Sequence, residues 1–249
     1  MGILIFSNSN NMHIPFGEWL DPIKDELFLI CDNTYNVTHT KYKAIKKFSK
    51  YDNNDQVLEY AKSIIKEYGV RFIIGKSECD ILRCAKLRDE FNIDGQTYKQ
   101  FLPYRNKIVM KNYLKSHNIL IANFCQPKNL NEAITFAENN QFPLILKPID
   151  GSGSFNTIKI NCMNDMYNVN SFKNTMLEEF IDGKMYHVDS LYLNDNIVFS
   201  SPSVYESGCL EFQSKKSLKS YTLAKIIHFL IGLKNLPVKL LMLYQHIKI

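Results

Sequence analysis

The residues with the clearest potential for chemistry lie at 144–154, which read Leu-Ile-Leu-Lys-Pro-Ile-Asp-Gly-Ser-Gly-Ser. In a strand, Lys147 shares a face with Ile145, so its ammonium is fixed among apolar neighbours and needs an anionic partner. A turn follows, containing Gly151, Ser152, Gly153 and Ser154. Its backbone N–H groups and hydroxyls can surround phosphate oxygens. Each half alone is typical of a hairpin turn beside an edge-strand lysine, but together they favour a phosphate site.

Two other segments carry charged side chains in a suggestive order. Glu178 and Glu179 are adjacent in a predicted strand and therefore point to opposite faces, so that one can address a ligand while the other faces solvent or a counter-charge. Such a pair alone is more typical of a solvated strand end. Lys107 precedes a helix about forty residues before Lys147, and alone it is typical of surface decoration.

The elements around these residues predict an α/β protein. Short apolar runs predict strands over 3–6, 27–31 and 70–74. A helical pattern over 57–68 has cap candidates at 53–55 and stops at Gly69. Ser77, with Asp80 three residues later, begins another helix. Alternating strands and helices indicate a parallel sheet that ends near Asn92.

Elements of different character follow. Helices are predicted over 107–116 and 131–138, and strands over 119–124, 144–147 and 157–160. These elements form a small α+β lobe. Strands over 175–181, 185–193 and 197–200, with a turn at 194–196, begin a larger sheet.

Taken in order, three motifs resemble the successive nucleotide-site motifs of the ATP-grasp superfamily. They are Arg105-Asn106-Lys107, then Leu146-Lys147-Pro148 with the 150–154 loop, then Glu178-Glu179-Phe180-Ile181-Asp182-Gly183. The resemblance covers about 3–213, with specific motifs between Lys107 and Asp189. Within the superfamily the chain is most similar to carboxylate-amine ligases that join amino acids or related molecules. Residues 186–189 (Tyr-His-Val-Asp) and 202–205 (Pro-Ser-Val-Tyr) contribute to that similarity.

The resemblance implies an ATP-grasp-like α/β fold. An N-terminal parallel α/β domain (1–95) would precede a small α+β lid lobe (96–174). An incomplete antiparallel-sheet lobe (175–213) and an atypical basic tail (214–249) would follow.

The resemblance also implies roles for individual residues. Lys107 and Lys147 would contact ATP phosphates, the loop Gly151, Ser152, Gly153 and Ser154 would close over them, and Glu178, Glu179, Phe180 and Ile181 would read adenine. Where the family commonly has an acidic residue for ribose, this chain has Met185. Glu179, His187 and Asp189 are the candidate substitutes, although a lone histidine on a strand is more often structural. No catalytic side chain is assigned.

The implied reaction joins a small-molecule carboxylate to an amine through an acyl phosphate, with ATP as substrate and Mg²⁺ expected. No Asp or Glu follows Glu211, so no metal ligand is assigned. We expect a truncated, frameshifted or split ligase, whose reaction rate without the missing part is lower by at least ~10³-fold, with a second chain as a possible partner.

One alternative is a non-catalytic nucleotide-binding or partner module. Another, suggested by Lys215, Lys216 and Lys219, is a membrane-surface protein. The tail could also be a shortened helix packed on the sheet.

Composition also bears on the binding partners, the location and the cysteine chemistry expected of the chain. The 249 residues carry a net charge of +5, but seven lysines and no acidic residue lie in 214–249, so the rest is nearly neutral and nucleic acid is not the expected partner. The apolar stretch 226–233 is too short for a membrane span. Without a signal peptide, the expected location is the cytoplasm. Six cysteines without a CxxC pair predict free thiols rather than a zinc site or disulfides.

Overall fold

The computed structural model describes residues 1–8, 14–37, 41–193, 196–208, 210 and 219–223. The chain divides into two compact units, of which the first is Met1–Arg105 and the second begins at Asn106. The finer division into four regions stays a prediction from the sequence. Within the described ranges, every helix is too short or too polar to cross a membrane.

A four-stranded parallel sheet organises the first unit. Its strands are β1 (Gly2–Ser7), β2 (Glu26–Asp32), β3 (Tyr42–Phe48) and β4 (Val70–Gly75), in the order β3-β2-β1-β4. β1 and β2 are almost wholly buried, which explains their unbroken apolar sequences. The predicted parallel sheet is confirmed. The sequence prediction misses β3, because lysines occupy much of this exposed edge strand.

Four helices connect and cover these strands. They are α1 (Phe16–Trp19), α2 (Asp55–Tyr68), α3 (Glu78–Phe91) and α4 (Tyr98–Arg105). α2 begins where the side chain of Asn54 accepts a hydrogen bond from the Gln56 backbone N–H. It ends at Gly69, whose φ of 66° lies in the left-handed region that favours glycine. The predicted cap and stop of this helix are both confirmed.

Asp80 lies in the first turn of α3, whose N-cap is Ser77, so the predicted helix start is confirmed although the Ser77 side chain makes no capping hydrogen bond. Asp80 also has a role that the sequence does not predict. It is fully buried, accepts a 2.9 Å hydrogen bond from the Tyr51 hydroxyl and pairs with Arg83. Burial raises the pKa of Asp80 despite the opposing charge of Arg83. The carboxylate therefore ties α3 to the 3-10 turn at Tyr51–Asn53.

Apolar side chains cover both faces of the parallel sheet. Leu4 and Phe6 belong to a cluster that also contains residues of α2 and α3. Ile3 and Ile5 belong to a second cluster that contains Phe16 of α1. The alternation along β1 follows from the two-residue period of a strand, and it gives the first unit a core on each side of the sheet.

The second unit begins with α5 (Lys107–Ser116). Its first sheet contains β5 (Phe124–Cys125), β6 (Leu144–Pro148), β7 (Ile158–Ile160) and β8 (Thr175–Glu179), in the antiparallel order β5-β8-β6-β7. Two helices, α6 (Leu130–Glu138) and α7 (Met163–Tyr167), contribute to its core. Leu144 and Leu146 of β6 point into that core, which fixes the opposite face of β6 for Ile145 and Lys147.

The strand predicted over 119–124 is wrong for all but its last residue. Its apolar run is typical of a buried strand, yet Leu120 is fully exposed. Of the predicted residues, only Phe124 belongs to β5, whose pairing with β8 starts at that residue. Residues 119–122 precede this pairing, and Asn123 accepts a backbone hydrogen bond from Glu179 of β8 without being part of the strand.

A second antiparallel sheet contains β9 (Tyr186–Leu193), β10 (Asn196–Tyr205) and β11 (Ser220–Thr222), in the order β11-β10-β9. The predicted strands over 185–193 and 197–200 are confirmed, and β10 extends to Tyr205. Two residues of the predicted turn at 194–196 lie outside the described residues. So does most of the tail at 214–249, of which 219–223 are described.

Candidate nucleotide site

A cavity of about 370 Å³ lies in the second unit. Ten of the twelve residues predicted to bind nucleotide line it: Lys107, Lys147, Gly151, Ser152, Gly153, Ser154, Glu178, Glu179, Phe180 and Ile181. They come from α5, β6, β8 and the loops that follow β6 and β8. The volume lies within the range of known small-molecule sites.

The helix α5 positions the first lysine. Asn106 caps this helix, because its side-chain oxygen accepts hydrogen bonds of 3.0 Å from the backbone N–H groups of Ile108 and Val109. Lys107 is the first helical residue, and its Nζ donates 2.6 Å to the carbonyl oxygen of Gly151. The ammonium is thereby held against the base of the glycine-serine loop.

The second lysine, Lys147, stands on β6 and has the anionic partner that the sequence predicts. Its Nζ pairs with Oε1 of Glu178, on the neighbouring strand β8. The register places Ile145 opposite Glu178 and brings the lysine and the carboxylate to the same face of the sheet. The structure thus brings Lys107 and Lys147 to one cavity, as the resemblance implies.

A third lysine completes this charge cluster. Nζ of Lys111 lies 2.8 Å from Oε2 of Glu178, and the two side chains are only 10% and 11% exposed. Burial would raise the pKa of the Glu178 carboxyl, but Lys147 and Lys111 outweigh it and hold that pKa below its ordinary value. Glu178 is therefore ionised and shared by two ammonium groups.

This lowered pKa predicts a pH-dependent stability. The unfolded carboxyl titrates near ~4.3, so the contribution of Glu178 is fully present above that pH and is lost as the pH falls through the lower folded pKa. We expect the difference in unfolding free energy between the wild type and Glu178→Gln to stay constant from about pH 7 to 5 and to shrink below ~4.3. Urea unfolding followed by far-UV circular dichroism measures it. The exposed Glu138, changed to Gln, is the control; a constant difference down to pH 3 would refute this assignment.

Glu179 points away from the lysine cluster, as the strand alternation predicts. Its carboxylate accepts hydrogen bonds of 2.8 and 2.9 Å from the backbone N–H and the side-chain amide of Asn123. Its backbone N–H donates to the Asn123 carbonyl at 3.0 Å. Glu179 therefore fixes the segment before β5 to the end of β8.

The glycine-serine loop has a left-handed backbone at several positions. Gly153, Ser154 and Asn156 have φ values of 58°, 57° and 53°. Successive turns of this kind direct backbone N–H groups towards a common point and form anion-binding concavities. Phe155, at the tip, is 72% exposed and also lines the cavity.

Apolar side chains form much of the remaining wall. Ala122, Ile145, Phe180, Ile181, Met185 and Leu210 line it. The Phe180 ring is flanked by Lys159, whose Nζ lies 3.8 Å from the ring centroid. The Phe180 N–H donates to the Pro143 carbonyl at 3.2 Å, which fixes the chain just after β8. Such a wall suits a planar aromatic base.

Three residues of the predicted motifs lie elsewhere. His187 and Asp189 are on β9, with Nε2 and Oδ2 3.5 Å apart, and the His187 ring lies 4.7 Å from that of Tyr205. Neither is among the described residues that line the cavity, and their assignment to ribose stays a prediction. Arg105 ends α4 in the first unit, where it pairs with Glu78.

Sequence reasoning also missed contributors to the site. Lys111 lies one helical turn after Lys107, a spacing that places both on one face of α5 and could have revealed it. Met185 lines the cavity, although it stands where the resemblance predicts an acidic residue for ribose. The sequence contains no comparable spacing or motif that would identify the other lining residues Ala122, Leu210 and Phe155.

Comparison with solved structures defines the class of this fold. An L-amino acid ligase from Bacillus licheniformis has a TM-score of 0.74 at 15% identity, over 98% of this chain and 60% of that one. N5-carboxyaminoimidazole synthetase from Staphylococcus aureus, complexed with ADP, has a TM-score of 0.71 at 14% identity, over 97% and 63%. The chain has the ATP-grasp fold that these structures share.

Sequence comparison gives a particular relative. The chain is 31% identical over 154 residues to the L-arginine-specific L-amino acid ligase of Bacillus subtilis. The aligned region covers 57% of this chain and 37% of that protein. No protein-family model matches the chain. The chain thus spans little more than a third of the length of this relative and less than two thirds of each structure named above.

Proposed function

We propose that the cavity binds ATP and that the chain serves ATP-dependent joining of a carboxylate to an amine through an acyl phosphate. One observation carries the proposal: Lys107, Lys147 and the glycine-serine loop converge on one cavity that also has an apolar wall. A triphosphate requires several cationic and N–H donors, whereas adenine requires apolar surfaces. The cavity offers both.

The lysines and the loop are assigned to the phosphates. Charge-assisted hydrogen bonds to phosphate oxygens are about twice as strong as neutral ones, and they strengthen further where water is excluded. Lys107 already touches the Gly151 carbonyl, so a phosphate held by the loop lies within its reach. Phe155 at the exposed loop tip can cover the bound nucleotide and exclude water.

The segment after β8 is assigned to the base. Phe180 and Ile181 provide apolar contact, and Ile145 and Met185 lie on the same cavity wall. The Glu179 and Phe180 backbones are fixed by their hydrogen bonds to Asn123 and Pro143. A rigid edge of this kind positions a base at low entropic cost.

The proposed reaction needs no nucleophilic side chain. A carboxylate oxygen of the acid attacks the γ-phosphorus, the bond to the β–γ bridging oxygen breaks, and ADP leaves. The amine nitrogen then attacks the acyl carbon, phosphate leaves with the carbon–oxygen bonding electrons, and the nitrogen releases a proton. Positioning and electrostatic stabilisation supply most of the catalysis in phosphoryl transfer, which matches a site built from lysines and backbone donors.

The names of the relatives support amino acids as the substrates to test first. The relative from Bacillus subtilis is an arginine-specific amino acid ligase. The Bacillus licheniformis protein with the similar structure is also an amino acid ligase. Magnesium is expected from the resemblance. Among the described residues, no group of three or more His, Cys, Asp or Glu side chains could hold a metal ion, so the proposal assigns no magnesium ligand.

Calorimetric titration with ATP and ADP, followed by an ADP-release assay with pairs of amino acids, tests the proposal. We expect saturable binding of both nucleotides and ADP release that requires both an acid and an amine. Binding without turnover, alone or with a candidate second chain, would favour the non-catalytic nucleotide-binding module. No binding of either nucleotide would refute the proposal.

A further inference from the structure

Glu178 has one more buried cationic partner than its charge requires. Lys147 pairs with Oε1 and Lys111 with Oε2, at 2.8 Å, and both Glu178 and Lys111 are almost excluded from water. One ammonium neutralises one carboxylate. A second buried ammonium costs additional desolvation, so its presence beside this pair calls for a specific benefit.

Lys111 is placed to serve Glu178 rather than the ligand. Its Nζ also donates to the Ala122 carbonyl at 3.3 Å and lies 5.2 Å from the centroid of the Phe124 ring. Unlike Lys107 and Lys147, Lys111 is not among the described residues that line the cavity. Its charge therefore reaches the cavity through the carboxylate that it shares with Lys147.

The sharing matters when an anion enters. Phosphate oxygens compete with Glu178 for Lys147, which faces the cavity. If Lys147 were the sole partner of Glu178, moving it to a phosphate would leave a buried carboxylate without a counter-charge, which is strongly unfavourable. With Lys111 in place, Glu178 remains neutralised while Lys147 moves.

We propose that Lys111 is a positioning residue that holds Glu178 and thereby frees Lys147 for the phosphates of the nucleotide. This inference rests on the proposed function, since it presupposes a polyphosphate ligand in the cavity. It predicts that Lys111 affects the binding of phosphates and leaves the binding of the nucleoside nearly unchanged.

Calorimetric titration of the full chain with ATP and with adenosine separates these effects. Lys111→Met is expected to weaken ATP binding at least ~10-fold and adenosine binding less than ~2-fold. Lys111→Arg, which keeps the charge, should stay within ~3-fold of the wild type for both ligands. Lys115→Met is the matched control, because it removes an exposed lysine from the next turn of α5; it too should stay within ~3-fold.

The double variant Lys111→Met/Glu178→Gln gives the decisive result. Removing the carboxylate removes the need for Lys111, so adding Lys111→Met to Glu178→Gln should change ATP affinity less than ~3-fold. A further loss of ~10-fold or more when Lys111→Met is added to Glu178→Gln, or equal weakening of ATP and adenosine in Lys111→Met, would overturn the inference. If Lys111→Met does not fold by circular dichroism, Lys111→Gln replaces it with the same expected direction.

The two proposals fail in different ways. A wild-type chain that binds neither ATP nor ADP refutes the proposed function and this inference with it. A wild-type chain that binds ATP, together with a folded Lys111→Met variant that binds it equally well, refutes the role of Lys111 alone.

Discussion

Lys147→Met is expected to weaken ATP binding by ~30-fold or more, because a charged partner removed from a largely desolvated site costs about 2–5 kcal/mol. Methionine preserves the length and the apolar stem of the side chain. Leu144 and Leu146 still anchor β6 in the core, and Lys111 still neutralises Glu178. The lost affinity should therefore come from the missing phosphate contact rather than from unfolding. Calorimetric titration with ATP measures it.

Two comparisons make this result specific. Adenosine should bind the variant within ~3-fold of the wild type, since Lys147 is assigned to the phosphates. Lys173→Met removes an exposed lysine that precedes β8 and should leave ATP binding unchanged. An ATP affinity reduced less than ~3-fold in a folded Lys147→Met variant would remove Lys147 from the phosphate site.

The parts of the site that the sequence could predict are local. The sequence predicts a helix over 107–116, and α5 spans Lys107–Ser116, because Asn106 next to it in the chain caps it. The strand bearing Lys147 and the glycine-serine loop carry their signals in adjacent residues, as do Glu178 and Glu179. That these segments share one cavity is not a local property. The order of the motifs predicts it only because that order resembles the ATP-grasp superfamily.

The parts that sequence reasoning missed depend on pairing between distant residues. The spacing of Lys111 from Lys107 places both on one face of α5, but only the folded chain, with this helix beside β8, shows that Lys111 meets Glu178. The same limit explains the segment 119–122, whose apolar residues suggest a strand although the pairing with β8 begins only at Phe124. β3 shows the opposite error, a strand that the sequence does not predict. Its lysines are untypical of a buried strand, and only its pairing with β2 identifies it.

The second large effect concerns stability, and Glu178→Leu is expected to destabilise the second unit by about 3 kcal/mol or more. Removing one partner of a buried ionic cluster leaves the remaining charges uncompensated, at a typical cost of about 3–5 kcal/mol. Most of this cost should come from Lys111, because its side chain is only 10% exposed and its charge cannot easily reach water. Lys147 is 23% exposed and can turn towards the cavity, so it contributes less.

The chain allows this loss to be assigned to one unit. Its single tryptophan is Trp19 in the first unit, so tryptophan fluorescence follows that unit, while amide hydrogen exchange in β6 and β8 follows the second. Glu178→Leu should accelerate exchange in β6 and β8 and leave the fluorescence transition unchanged. The triple variant Glu178→Leu/Lys111→Met/Lys147→Met should recover most of the lost protection, since apolar replacement of a whole buried ionic cluster is often neutral or stabilising. Unchanged exchange in Glu178→Leu would show that Lys111 reaches water or another partner, and it would remove the energetic basis for the shared carboxylate.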